Sequence, residues 1–205
     1  MSGLIKKYAP QIGYFIFPNL RRELIGSGQV ENRLPGEPVN LLVKAHYRED
    51  PDALFARASS FADVMHVTRR IASYKNLPAS RMEQGKTYTT DIRILKLFRY
   101  ANYNIRIDCV NPVDRVLITK EGNRDVRSWK HRVDVKPSRT GSVWTDYLEI
   151  DAGLLTPFVC LFARFMYIHR HKQRGAAGVR AVMGDKARKV HRMTVNENHC
   201  FSARS

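Results

Sequence analysis

Apolar and polar residues alternate with period two over several stretches of the chain and switch to a helical period elsewhere. Over 39–47, Val39, Leu41, Val43, Ala45 and Tyr47 share one face and Asn40, Leu42, Lys44 and His46 the other, which predicts a first strand. At Arg48-Glu49-Asp50-Pro51-Asp52 the period changes: Asp50 suits a helix cap, Pro51 the first helical position and Asp52 the positive end of the dipole. A short helix through Leu54, Phe55 and Ala58 follows. A second, capped by Ser59 or Ser60, carries Phe61, Val64, Met65 and Thr68 at helical spacing and runs out before Asn76-Leu77-Pro78.

Alternation then returns over 86–95, 102–109, 115–120, 128–136 and 142–150, with turn chemistry at Asn111-Pro112-Val113-Asp114 and Glu121-Gly122-Asn123 and a loop over 137–141. Strands in succession without intervening helices predict an antiparallel meander and argue against a doubly wound parallel sheet. The meander ends in 151–174, DAGLLTPFVCLFARFMYIHRHKQR, where Leu154, Phe158, Phe162 and Phe165 fall at helical spacing and Leu155, Leu161 and Met166 widen the stripe. That stripe is expected to face the sheet. The expected organisation is an extension and linker over 1–38, a ligand-binding domain over 39–178, and a basic flexible tail over 179–205.

Composition narrows the picture. Hydrophobic residues make up 43% of the 205, enough for a core, so a wholly disordered chain is excluded. The formal net charge of +16 suits either a solvated basic surface or contact with a polyanion: RNA, the ribosome or an anionic membrane surface. Cys109, Cys160 and Cys200 are widely spaced, which fits free thiols in a reducing, cytoplasmic setting better than a disulfide framework. The longest apolar stretch, 154–168, is broken by Pro157 and Arg164 and falls short of the ~20 residues of a membrane span.

The order of elements resembles the START-related SRPBCC superfamily, the helix-grip fold, and within it the polyketide cyclase/dehydrase and lipid-transport branch. The residues carrying the likeness are LVKAHYREDPDALF from Leu42, an opening strand running into an acidic-proline helix start; Phe61-Ala62-Asp63-Val64-Met65 at the helix pair; the strands and Pro-containing turn of 99–115; the late strands of 128–150 with their Trp residues and the Ser138-Arg139-Thr140-Gly141-Ser142 hairpin; and a closing helix from about Gly153. It covers 39 to about 175 and rests on order and pattern. The resemblance implies an α+β architecture in which a curved antiparallel sheet wraps a long C-terminal α-helix, with two short helices after the first strand. It also implies a cavity between sheet and helix for a lipid, polyketide, steroid or quinone-like molecule. Many such proteins only bind or carry; a few catalyse cyclisation or dehydration.

The candidate ligand-binding set is Tyr88, Tyr103, Trp129, His131 and Trp144, faced by Phe158, Phe162 and Phe165. Aromatic rings supply apolar area with a polar tip, and the same rings equally suit a filled core. His131 and Asp146 stand on mostly apolar faces of strands expected to pair, so each needs a partner if buried. Together they are the candidate catalytic pair, a general acid–base for a cyclase or dehydratase-like reaction; a structural hydrogen bond accounts for them as well. His66 is expected to face solvent. His169 and His171, two apart on a helix, fall on different faces, so no metal site is assembled and no cofactor is implied. The expected function is binding or carriage of a hydrophobic small molecule; the alternatives are an enzyme on the same fold using His131 and Asp146, and a polyanion-binding module acting through the basic C-terminal tail.

Overall fold

The structure, a computed structural model, describes residues 38–194. The expected extension therefore lies outside the described residues apart from Pro38, as do residues 195–205 of the expected tail. Strand β1 (Val39–Tyr47) leads to α1 (Pro51–Ala58) and α2 (Phe61–Thr68). The Asp50 carboxylate accepts from the backbone N–H groups of Asp52 and Ala53, and Ser60 Oγ accepts from Asp63, so both helices start at side chains able to cap them. There follow β2 (Ala72–Lys75), β3 (Thr87–Ile94), β4 (Phe98–Asn111), β5 (Val116–Gly122), β6 (Ser128–Ser138) and β7 (Gly141–Asp151). A single 3-10 turn, Gly153–Leu155, opens α3 (Thr156–Gln173), and β8 (Gly178–Met183) and α4 (Asp185–Thr194) complete the described chain.

All eight strands form one antiparallel sheet in the order β2-β3-β4-β5-β6-β7-β1-β8. This is the helix-grip arrangement: a curved sheet, two short helices after the first strand, and a long helix on the concave side. Register shifts at Thr90/Ile92 and Ile107/Cys109 add the local twist that helps a sheet to curve. The turns follow from their residues. Asn111 Oδ1 accepts from the N–H groups of Val113 and Asp114, and Asn123 Oδ1 from those of Asp125 and Val126. Gly141, which closes the β6–β7 hairpin, has φ +135, and a Cβ there would collide with the Tyr47 carbonyl oxygen.

The core lies between the concave face and the helices. Leu41, Val43, Ala45, Ile105, Ile107, Leu117, Val133, Val135, Leu148 and Ile150 come from the sheet; Leu54, Phe55 and Phe61 come from α1 and α2; Cys160, Ala163 and Tyr167 come from α3. Among the described residues, no helix is long and apolar enough to cross a membrane.

Three features differ from the sequence expectation. The short strand β2 joins the β3 edge where a continuing helix was expected. Residues 178–194 are not a flexible tail: β8 pairs with β1, and α4 packs Ala187 into full burial. The reason is that β1, flanked by β7 alone, would present a row of unpaired backbone groups, and Val179, Ala181 and Met183 alternate so as to pack on the core while pairing with it. Arg180, Lys186, Arg188 and Lys189, which fall within the expected basic tail, thus belong to ordered elements. Arg188 has only donors to offer, so the Asn40 amide turns its oxygen to it and donates to the Tyr147 hydroxyl. Finally, Cys160 is a fully buried thiol on α3, and Cys109 of β4 is disulfide-bonded, which the wide spacing of the cysteines did not suggest.

Candidate functional site

The register of β6 and β7 decides where the two singled-out polar residues meet. Asp146 pairs with Val133 and His131 with Leu148, so the two are diagonal neighbours on the concave face. His131 Nε2 lies 2.8 Å from Asp146 Oδ1. Trp144, two residues before Asp146 on the same face, donates its indole N–H to that oxygen at 3.0 Å. The other carboxylate oxygen is 2.6 Å from Nε2 of His171, which comes down from α3. Asp146 is 1% exposed and His171 fully buried.

Each imidazole is backed by a tyrosine. Tyr47 Oη is 2.7 Å from His171 Nδ1, and Tyr167 Oη is 3.3 Å from His131 Nδ1. Burial alone would push the Asp146 carboxyl upward; the electrostatic attraction of His171 and the hydrogen bonds from both imidazoles outweigh it and hold the group well below the usual carboxylate range. An ionised Asp146 takes N–H from both Nε2 atoms, which leaves each Nδ1 to accept from a tyrosine O–H. Burial raises the pKa of Tyr47 and Tyr167, so both hydroxyls remain donors. Burial lowers that of His171, opposed by Asp146 and reinforced by Arg174 and Arg170. The result is one continuous chain of groups, Tyr47–His171–Asp146–His131–Tyr167.

The helix brings more charge inside. Arg174 lies over the Trp144 ring, 4.6 Å from guanidinium carbon to centroid, and its Nε donates to Asp63 of α2 at 2.6 Å. Asp63 also receives Arg57 Nε at 3.2 Å, and Arg57 reaches Glu49 at 2.9 Å, so an ionic ladder runs from the rim to the interior. Arg170 lies 4.7 Å over the Tyr167 ring. Glu121 accepts from Thr119 Oγ1 at 2.8 Å and from the Tyr103 hydroxyl at 3.4 Å.

The two ends of the interior differ. Around β1, β6 and β7 the inward residues Leu41, Val43, Ala45, Val133, Trp144 and Leu148 are at most 1% exposed. Toward β3 and β4, Tyr88, Ile92 and Tyr100 pack against the core while keeping accessible surface, joined by Met82 from the preceding loop. Tyr88 meets Phe61 edge to face at 4.7 Å, and Trp129 and Tyr167 lie roughly parallel with centroids 6.4 Å apart.

The residues singled out from sequence divide accordingly. His131 and Asp146 are brought together. Tyr88, Tyr103, Trp129 and Trp144 stand on the concave side, the last three buried. The α3 phenylalanines do not face the sheet as expected: Phe158 is 45% and Phe165 37% exposed, and Phe162 is half-buried, its ring 6.5 Å from that of Phe165. The stripe that does face inward is Thr156, Cys160, Ala163, Tyr167, Arg170, His171 and Arg174. Small residues at 160 and 163 admit the bulky strand side chains, which large phenylalanines there would exclude. His66 is exposed, its Nε2 3.1 Å from Nη1 of Arg69 at the end of α2. Sequence reasoning missed Tyr47, Tyr167, His171, Arg170 and Arg174. The available signal was the second helical period running through Cys160 and Ala163 into those polar residues. Among the described residues, no three His, Cys, Asp or Glu side chains are placed to hold a metal ion together.

No family model and no curated protein matches the chain. Solved structures do. Protein CV1439 from Chromobacterium violaceum aligns with a TM-score of 0.53 at 11% identity, over 65% of this chain and 92% of its own. Ara h 8.0201 aligns with a TM-score of 0.48 at 10% identity, over 65% of this chain and 96% of its own. The likeness to CV1439 is one of fold. At such identity it carries no residue's role across, and the functional reading rests on the chain's own site.

Proposed function

We propose that this protein binds a small, largely apolar molecule between the sheet and α3. The observation carrying this reading is the buried chain Tyr47–His171–Asp146–His131–Tyr167 beside a partly open aromatic wall. A core needs no such chain for stability, since apolar residues of similar volume commonly do as well as a buried ionic group or better. An apolar site with a few fixed polar groups is what orients a hydrophobic ligand with one hydrogen-bonding function. Tyr88, Ile92, Tyr100 and Trp129 supply the apolar side, and the His131–Tyr167 end of the chain the polar group nearest to it. Native mass spectrometry of freshly purified protein is expected to show a retained small molecule, and a panel of fatty acid, quinone and sterol to raise the melting temperature by linkage. Protein that carries nothing and is stabilised by no member of the panel is not the binder described.

A second reading is favoured by the contact between His131 and Asp146. An imidazole oriented by an ionised carboxylate is a general acid–base, as a cyclase or dehydratase-like reaction requires. Both ring nitrogens of His131 are engaged by protein, so a substrate must displace the Tyr167 hydroxyl to exchange a proton with Nδ1. That ranks binding ahead of catalysis. His131→Ala separates the two: turnover lost with affinity kept supports the enzyme, and both kept removes it.

A further inference from the structure

We propose that the ligand carries an anionic head group on its apolar body and that Arg170 is the residue that holds it. This rests on the binding reading above and names its ligand class. Arg170 lies on the inward stripe of α3, is 8% exposed, and its Nε is buried without a hydrogen-bond partner. Among the described residues it forms no ion pair. The nearby carboxylates are already occupied. Asp63 is held by Arg57 and Arg174, Asp146 by two imidazoles and an indole, and Glu121 by two hydroxyls. What Arg170 does have is the Tyr167 ring beneath it, a contact weaker than an ion pair.

A buried guanidinium without a counter-charge is destabilising, and proteins usually pair it. Arg174, one turn on, shows the paired case: it faces Trp144 and Asp63. Arg170 instead sits over Tyr167, whose ring lies beside that of Trp129 on the concave side. Its planar fork of donors matches the two oxygens of a carboxylate or the oxygens of a phosphate monoester. A head group there leaves an apolar tail to run along Tyr88, Ile92 and Tyr100.

The test uses the full chain and four probes of one tail length: a long-chain fatty acid, the alkyl phosphate, the methyl ester of the acid, and the alcohol. Binding is measured by calorimetry to wild type, Arg170→Met and Arg170→Lys. Wild type is expected to bind the anions at least about tenfold more tightly than ester and alcohol, as a charge-assisted bidentate contact provides. Whichever anion binds more tightly identifies the head group. Arg170→Met is expected to lose that preference with ester affinity unchanged, and Arg170→Lys to keep part of it. Ester bound as tightly as acid by wild type, or an undiminished preference in Arg170→Met, overturns the proposal and leaves the apolar-ligand reading standing. None of the four bound also overturns it, and the quinone and sterol of the earlier panel then decide the apolar-ligand reading. Ligand-free Arg170→Met is expected to melt no lower than wild type; a large drop would mark Arg170 as structural and overturn its role. A variant that fails to fold counts as such a drop, and Arg170→Lys then serves as the comparison for the acid-to-ester preference of the wild type.

Discussion

Asp146 holds two imidazoles and an indole in place with two oxygen atoms. Asp146→Ala leaves three buried N–H donors without their acceptor, and breaking a buried network in this way is expected to destabilise by about 3–5 kcal/mol in urea unfolding. His171 gives a pH signature. Its pKa in the folded chain is lowered by burial from the ordinary 6.5. Below that pH the unfolded chain gains a proton that the folded chain resists, so stability falls as pH drops through 6.5, by at most about 1.4 kcal/mol per unit. Above 6.5 the group contributes no slope. His171→Asn is expected to flatten the dependence between about pH 7 and pH 5; an unchanged slope would show that His171 is not its source. At this scale His131 and Asp146 were legible in the sequence, because a polar residue interrupting strict alternation is conspicuous. Tyr167 and His171 were not, because a helix that is greasy on two sides offers two candidate faces.

The face of α3 turned to the sheet was settled by volume rather than by hydrophobicity. The stripe with the most aromatic carbon faces outward, and the stripe with Cys160 and Ala163 faces in, where Trp144 and Trp129 already fill the concave side. Ala163→Leu is therefore expected to destabilise by about 1–3 kcal/mol through overpacking. Phe158→Ser is expected to stay within about 0.5 kcal/mol, as for a surface substitution away from special features. Urea midpoints of the two variants compare them directly, and a reversed order would mean that the helix is turned the other way. Period-two alternation made β1 and β3 through β7 readable. The four-residue β2 is too short for a periodicity to register, and β8 and α4 sit in a segment whose basic composition resembles a solvated tail. They are held by the unpaired side of β1 and by the convex surface around Asn40 and Tyr147, partners that no local pattern announces.

Across the whole molecule, β8 and α4 join the end of the described chain to its beginning. A chain ending after Ala176 keeps α3 and the Asp146 network but bares the edge of β1 and uncovers Leu42, otherwise 2% exposed. Such a truncation is expected to aggregate, seen as light scattering and loss of the monomer peak in size exclusion, because an open hydrophobic edge strand templates pairing between molecules. A truncated protein that stays monomeric and as stable as the full chain would show that β8 is an ornament. The general plan of sheet, helix pair and long helix was visible in the sequence from the order of its periods. The polar interior was only half visible, since Asp146 is satisfied from an element 25 residues away in the chain.

The place of β1 between β7 and β8 also bears on how the protein comes into being. Of all the strands described, the one synthesised first is flanked by the two synthesised last. Leaving the ribosome, it has neither neighbour, and the sheet can grow only from β2 through β7 while β1 waits. Residue 183 must emerge before the last pairing closes. Assembly that depends on such distant pairings is intrinsically slow and leaves hydrophobic strand edges bare in the meantime. The nascent chain is therefore most exposed to misassociation just before β8 is made.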